Sequence, residues 1–253
     1  MQDALAVVIP VYNEELCIMD TLTSLKGQDN PPLRVRFYVV DNGSTDGTQG
    51  VIWNFLRNNP GFPLSLIEEP IKGTGTACNT GFSAAISGGA QVIVRTDGDT
   101  VVSENWLRVI VTQMSIDRSA QLITGRVLPR KDELYRPFDD FILPFSVRAA
   151  RIALTIVHFD RNYLGAATGG NMAIRSDAFE TIGGFKISNI DVGNEDVQLS
   201  IDVIRNFGRE AVAYCKDMVC YTSMRRIRQS GLISSSLYYL FPGLRKAGKN
   251  DKR

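Results

Sequence analysis

"ALAVVIPVYN", residues 4–13, is an unbroken apolar run that ends in proline, tyrosine and asparagine. A run this short, with no polar alternation, reads as a strand buried on both faces that delivers Tyr12, Asn13 and Glu14 to its carboxyl end. Downstream, Leu16, Met19, Leu22 and Leu25 recur by threes and predict a helix that stops near Pro31 and Pro32. "VRFYVVDNGSTDGT" (35–48) repeats the plan: a strand, a turn of Asp41, Asn42, Gly43 and Ser44, and Asp46 as the cap of a helix carrying Val51, Ile52, Phe55 and Leu56. "PLSLIEEP" (63–70) is a third strand and "GTGTACNTGFSAAISGG" (73–89) a helix of small residues. "QVIVRTD" (91–97) is a fourth strand, followed by a helix capped by Ser103 with Glu104 in its first turn.

Strand and helix alternating four times predict an α/β fold with a parallel, doubly wound sheet. Ligands of such sheets sit beyond the carboxyl ends of the strands. Asn13, Asp41, Glu68 and Asp97 all fall at those ends, so one wall of a cleft is assembled from four separate parts of the chain. After about residue 121 the rhythm weakens. "AQLITGRVL" (120–128) and "NMAIR" (171–175) read as strands, 139–159 as helical despite Pro144, and "NEDVQLSIDVIRNFG" (194–208) as a helix stopped by Gly208. "AVAYCKDMVCYT" (211–222) supplies one or two late strands. The expected organisation is a domain over 1–224, with a strand–helix half to about 120 and a smaller annex over 121–224 completing the same cleft, and a basic tail over 225–253.

The chain has 253 residues, 44% hydrophobic and 22% charged, an ordinary globular balance with room for a sizeable core. Its formal charge of +1 hides an asymmetry: 225–253 holds eight basic residues and one acid, whereas acids outnumber bases before it. The basic tail, beside apolar "GLISSSLYYLFPGL", suits contact with anionic lipid headgroups or a solvated end. Nucleic acid is excluded, because no aromatic-studded basic surface accompanies the charge. Cys17, Cys78, Cys215 and Cys220 form no zinc pattern and read as buried thiols of a reducing compartment. His158, the only histidine, lies in an apolar stretch and reads as core or interface. No apolar stretch is long and uncharged enough to span a membrane, and no signal peptide opens the chain. The expected location is the cytoplasm, at most touching the inner membrane face.

"VRTDGDTVV" (94–102) places two carboxylates one glycine apart after a buried strand. They either face solvent in a turn or hold a cation through hard oxygen ligands, for which Mg²⁺ and Mn²⁺ are the fitting ions. Glu195 and Asp196 precede an apolar helix, where they complement its dipole or perform acid–base work.

Taken in order, "VVIPVYNEE", "VVDNGSTDGT", "VRTDGDTVV" and "GNEDVQLS" resemble the family-2 inverting glycosyltransferases with the GT-A fold, from residue 5 to about 215. The resemblance implies a nucleotide site lined by Pro10, Tyr12, Asn13 and Glu14, with Asp41 reading the base, usually uracil. Lys72, Gly73, Asn79, Asp97 and Gly98 would complete the donor site. Asp99 would bind Mn²⁺ or Mg²⁺, with Asp97 touching the ribose or a metal-bound water. Asp196 would be the general base, with Glu195 beside it. Gly169, Gly170 and Asn171 would face the donor sugar or acceptor. The resemblance also implies that residues 1–224 are a catalytic domain whose first half binds the nucleotide and whose annex binds the acceptor. The implied donor is a nucleotide sugar, by default a UDP-sugar, and the acceptor a small molecule, lipid-linked saccharide or glycan.

The chain departs from that pattern in two places. Relatives place an arginine before the asparagine of the small-residue helix, where this chain has Cys78; Lys72 or a basic residue from elsewhere has to compensate. The late histidine ligand is also absent. "YTSMRRIRQSG" (221–231) stands there, with Arg225 and Arg226 suited to clamp a diphosphate and Thr222 or Ser223 to replace the ligand. Two rivals remain: a nucleotidyltransferase, which should show a glycine- and base-rich phosphate loop after the first strand, and a degenerate transferase that binds sugar nucleotides without turnover.

Overall fold

The computed structural model describes residues 5–29, 34–131, 136–138, 140–141, 169–186 and 195–225. Residues 142–159 of the predicted helix, with His158, the Pro31–Pro32 stop, and the basic tail from Arg226 onward lie outside the described residues.

The apolar runs form strands as expected: β1 (Leu5–Val11), β2 (Val35–Asp41), β3 (Leu64–Glu68) and β4 (Val92–Thr96). Between them lie α1 (Ile18–Lys26), α2 (Thr48–Asn58) and α3 (Thr74–Ser87). β5 (Thr100–Val102), α4 (Trp106–Ile116), β6 (Leu122–Pro129), β7 (Asn171–Arg175), α5 (Ser176–Ile182), α6 (Glu195–Phe207) and β8 (Val212–Thr222) complete the described elements. All eight strands join one sheet in the order β3-β2-β1-β4-β7-β6-β8-β5. β3, β2, β1 and β4 are mutually parallel, with Val11 opposite Asp41 and Asp41 opposite Glu68. β7 runs antiparallel to β4, so Asn171 at its start lies opposite Thr96 at the end of β4.

The strand period of two divides the apolar residues between two faces. Val7, Ile9, Val39 and Val94 pack with Leu22, Ile52, Trp106 and Ile110 from α1, α2 and α4. Val8, Val40, Ile93 and Ile174 pack on the other face with Ala77, Phe82, Phe179 and Leu199 from α3, α5 and α6. This is a three-layer α/β/α domain with helices on both faces, as the alternation predicts.

Three local expectations need correction. The buried face of α1 is Ile18, Thr21, Leu22 and Leu25, whereas Leu16 precedes the helix and is exposed. A threefold spacing drifts around a helix of 3.6 residues per turn, so Leu16 leaves the apolar stripe. Ser103 does not cap α4: its hydroxyl goes to Asn105, and its backbone carbonyl accepts the Trp106 N–H. Glu104 accordingly lies before the helix. Between β4 and α4 there is also an unexpected strand, β5, which pairs antiparallel with β8 and sets Thr100 opposite Thr222.

Candidate functional site

The carboxyl ends of β1 and β2 are laced together by their own turn residues. Asn13, the only non-glycine with positive φ among the described residues, takes φ 54°, which asparagine tolerates. Its Oδ1 accepts the Thr45 N–H at 2.8 Å and its own N–H donates to Ser44 Oγ at 3.0 Å. Asp41 is buried; its Oδ1 accepts from the Ser44 N–H and hydroxyl, and its Oδ2 from the Gln49 amide. Lys72 reaches over the same turns, donating to the carbonyls of Asn42 and Gly43 at 3.0 and 2.6 Å with Nζ 3.9 Å from the Tyr12 ring centre. The Gly73 N–H donates to Asn42 Oδ1. Half-buried Pro10, Tyr12 and Asn13 edge this rim.

The Asp97–Gly98–Asp99 turn is pressed against the end of β1. A Cβ on Gly98 would sit 2.8 Å from Val11 Cγ1 and 3.1 Å from Glu14 Cγ, so the approach requires glycine. Asp99 is 4% exposed, with the Thr222 and Thr100 hydroxyls 3.3 and 3.4 Å from its Oδ1. Of the two residues expected in place of the missing histidine, Thr222 sets its hydroxyl beside the Asp99 carboxylate, whereas Ser223 donates its backbone N–H to the Asp99 carbonyl. The register of Thr222 is set by the β5–β8 pairing.

The acceptor-side acids arrive from α6. The Asp196 carboxylate accepts the Gly169 N–H at 2.7 Å and the Val197 N–H at 2.9 Å. Burial, and next the charge of Glu195, raise its pKa to about 6, against the opposing pull of Arg95 and both N–H groups. A carboxyl held near that value is suited to proton abstraction close to neutrality. Gly170 lies over Asp97, where a Cβ would fall 2.9 Å from Oδ2.

Asp97 and the start of α6 meet at Arg95, which sequence reasoning missed. Its Nη2 is 3.3 Å from Asp97 Oδ1 and 3.7 Å from Glu195 Oε1. It also lies beside Cys78. The thiol is fully buried, and burial pushes its pKa to about 12 while neighbouring Arg95 pulls the other way. A lone arginine inside "VIVRT", a strand otherwise free of charge, was the available signal.

Four expected site residues do other work. Asn171 is completely buried: its Oδ1 accepts the Trp106 indole N–H at 2.8 Å, and its Nδ2 donates to the carbonyls of Arg126 and Met218, each at 2.9 Å. It ties the core rather than facing a sugar. Asn79 clasps the backbone of Phe185, accepting its N–H and donating to its carbonyl, both at 2.9 Å, so its amide is not turned to a donor. Glu14 is buried and ion-paired with Arg225 Nη2 at 2.5 Å, so neither side chain is an open lining group in this arrangement.

Asp99, Asp97 and the Thr222 hydroxyl are hard oxygen donors, and they fit Mg²⁺ or Mn²⁺, ions that use few carboxylates and complete their shell with phosphate and water. Among the described residues no group of three or more His, Cys, Asp or Glu forms an all-protein metal cage. All four cysteines are free and buried. No described helix is long and apolar enough to cross a membrane.

The family model described as Glycosyl transferase family 2 matches residues 6–183. The chain belongs to that family. A relative, the glycosyltransferase AglE of Haloferax volcanii, is 30% identical over 186 residues, 71% of this chain and 55% of its own length. The mannosyltransferase PcManGT from Pyrobaculum calidifontis, solved with GDP-Man and Mn²⁺, matches with a TM-score of 0.67 at 22% identity, covering 99% of this chain and 66% of its own. Glucosyl-3-phosphoglycerate synthase from Mycobacterium tuberculosis, solved with Mn²⁺, UDP-Glc and phosphoglyceric acid, matches at 0.62 and 17% identity, covering 95% and 79%. These likenesses show the GT-A fold. The chain spans about half the length of the curated relatives it matches.

Proposed function

We propose that the protein is an inverting glycosyltransferase that moves a sugar from a nucleoside diphosphate to an acceptor hydroxyl or amine, assisted by Mn²⁺ or Mg²⁺. One observation carries the reading: the buried Arg95 guanidinium lies between the donor-side acid Asp97 and Glu195, whose neighbour Asp196 has its two carboxylate oxygens held by the Gly169 and Val197 N–H groups. A donor acid and a base so close suit a single displacement, in which the acceptor attacks as the diphosphate leaves.

In this reading Asp196 takes the proton of the acceptor hydroxyl, and the Gly169 and Val197 N–H groups hold its two oxygens in place. No covalent nucleophile is required. The base of the nucleotide lies against Asp41 and the Asn13–Ser44 turns, where it competes with Gln49 for the Asp41 carboxylate. Asp99, with Asp97 and Thr222, would hold the metal, which when bound neutralises charge on the leaving diphosphate. Lys72 lies over the Asn42–Gly43 turn, and Arg225 serves the diphosphate only if it leaves Glu14. Uridine is the default base from the family resemblance. The fold neighbours are solved with both GDP-Man and UDP-Glc, so the donor screen must include each.

The test is release of free nucleoside diphosphate from UDP-Glc, UDP-GlcNAc and GDP-Man, with and without Mn²⁺. One donor should turn over in a Mn²⁺-dependent way, and Asp99→Asn should abolish both turnover and Mn²⁺-dependent nucleotide binding. Full activity of Asp99→Asn in the presence of chelator would refute the metal role. Tight nucleotide-sugar binding with no turnover under any acceptor would identify a binding protein instead.

A further inference from the structure

Arg95 lies fourth in β4, a strand whose five residues are all buried, and is itself only 4% exposed. Its guanidinium is flat against the Gly169 backbone: a Cβ on Gly169 would be 2.8 Å from both Cζ and Nη1 and 2.9 Å from Nη2. The Phe185 ring centre lies 5.7 Å from Cζ. Nη2 faces Asp97 and Glu195, whereas Nε and Nη1 are buried without a hydrogen-bond partner among the described residues. A buried cation with two unpaired nitrogens is a poor stabiliser, and apolar residues commonly replace such groups at no loss of stability. The position makes sense through what it organises. Carboxylates from two elements, Asp97 after β4 and Glu195 and Asp196 in the first turn of α6, gather around one permanent positive charge.

We propose that Arg95 is a positioning residue: it ties Asp97 on the donor side to Glu195 at the start of α6, and so holds that turn, and the base Asp196 within it, against the donor. The proposal rests on the transferase reading above. Among the described residues, the charged and titratable groups around Asp196 are Glu195 on its own helix, Arg95 from β4 and Cys78 from α3, with Asp97 beyond Arg95. Without the guanidinium, Asp97 and Glu195 repel each other and the turn loses its anchor. Asp196 then also loses the only cation in that group.

The experiment compares Arg95→Met, Arg95→Lys, Glu195→Gln and the Arg95→Met/Glu195→Gln double variant with the unmodified chain. Arg95→Met should bind UDP in Mn²⁺ within about threefold of wild type yet lose about 10²-fold in kcat, the scale of a misplaced base. Arg95→Lys, which keeps the charge but not the planar fork, should fall between the two. The double variant should be no slower than Arg95→Met alone, because both changes cut the same tie. A readout without turnover is the Asp196 carboxyl titration by NMR, which should move upward by about one unit or more in Arg95→Met.

Turnover of Arg95→Met within threefold of wild type would overturn the proposal. So would a loss carried wholly by UDP affinity, multiplicative losses in the double variant, or failure of both Arg95 variants to fold, which would make Arg95 a structural strut. If the unmodified chain turns over no nucleotide sugar, the transferase reading fails, while the Asp196 titration still decides whether Arg95 governs that carboxylate.

Discussion

The parallel strands β3-β2-β1-β4 and the mixed set β7-β6-β8-β5 share one sheet, yet their carboxyl-edge structures are held by opposite means. On the parallel side, polar side chains reach from one strand-end turn to the next: Asn13 to Thr45, Glu15 to Gly47, Lys72 to Gly43. Each of these bonds is solvent-exposed and one of many, with the buried Asn42 amide, on the Glu69 and Ile71 carbonyls and the Gly73 N–H, as the exception on this side. On the mixed side a single buried amide, Asn171, ties α4, β6 and β8 to β7. Redundant surface lacing tolerates loss, whereas a buried hub does not, since every partner it abandons is stranded away from water.

The largest expected effect lies where the two sides meet. Asp196→Asn should bind the donor normally but slow turnover by about 10²–10⁴-fold, measured as kcat against Kd for the nucleotide. A loss under about tenfold would move the base to Glu195. Its pH dependence has a defined sign. With its pKa raised to about 6, Asp196 is a base only above that value, so the acid limb of kcat should rise through about pH 6 and disappear in Asp196→Asn. The folded state then retains a proton that the unfolded chain releases near the ordinary aspartate value of about 4. This group's contribution to stability therefore falls as pH rises from about 4 to 6. The melting temperature of Asp196→Asn should gain on wild type across that window; a gap that narrows instead would contradict the raised pKa.

Next in size is the hub. Asn171→Ala leaves the Trp106 N–H and the carbonyls of Arg126 and Met218 without their buried partner. At about 1–3 kcal/mol for each stranded group, urea unfolding should show a loss of at least about 3 kcal/mol. A change below about 1 kcal/mol would mean that the mixed side does not depend on this residue.

The same contrast explains what could be read from the chain. The four strand–helix alternations and the acids at their ends were legible because each strand and its turn are contiguous, and in β1, β2 and β4 the apolar run leads straight into the polar turn. The mixed side pairs residues distant in sequence. β5 is three residues long and exists only because β8 lies beside it, so no local pattern marks it. Asn171 follows two glycines and resembles a ligand residue, but its surroundings come from α4, β6 and β8, which no spacing reveals. Arg95 reads as an oddity in an apolar strand until Gly169 and Glu195 are brought against it. Periodicity finds faces; it does not find the third element that closes over them.

The smallest effects test the lacing, through two residues with the same sequence signal. Asp46 and Ser103 both precede an apolar helix and both read as caps. Asp46 lies one residue before Gly47, the N-cap of α2, and forms a turn there instead: its Oδ1 accepts the N–H and hydroxyl of Thr48, and its Oδ2 the Glu15 N–H at 3.2 Å. Asp46→Ala should therefore cost about 1 kcal/mol in urea unfolding, the usual net worth of a side-chain hydrogen bond. Ser103 gives α4 only its backbone carbonyl, which alanine also supplies. Ser103→Ala should lie within about 0.5 kcal/mol of wild type. If the two changes cost the same, the lacing of β1 to β2 contributes nothing beyond ordinary surface polarity, and the contrast between the two sides of the sheet loses its energetic basis.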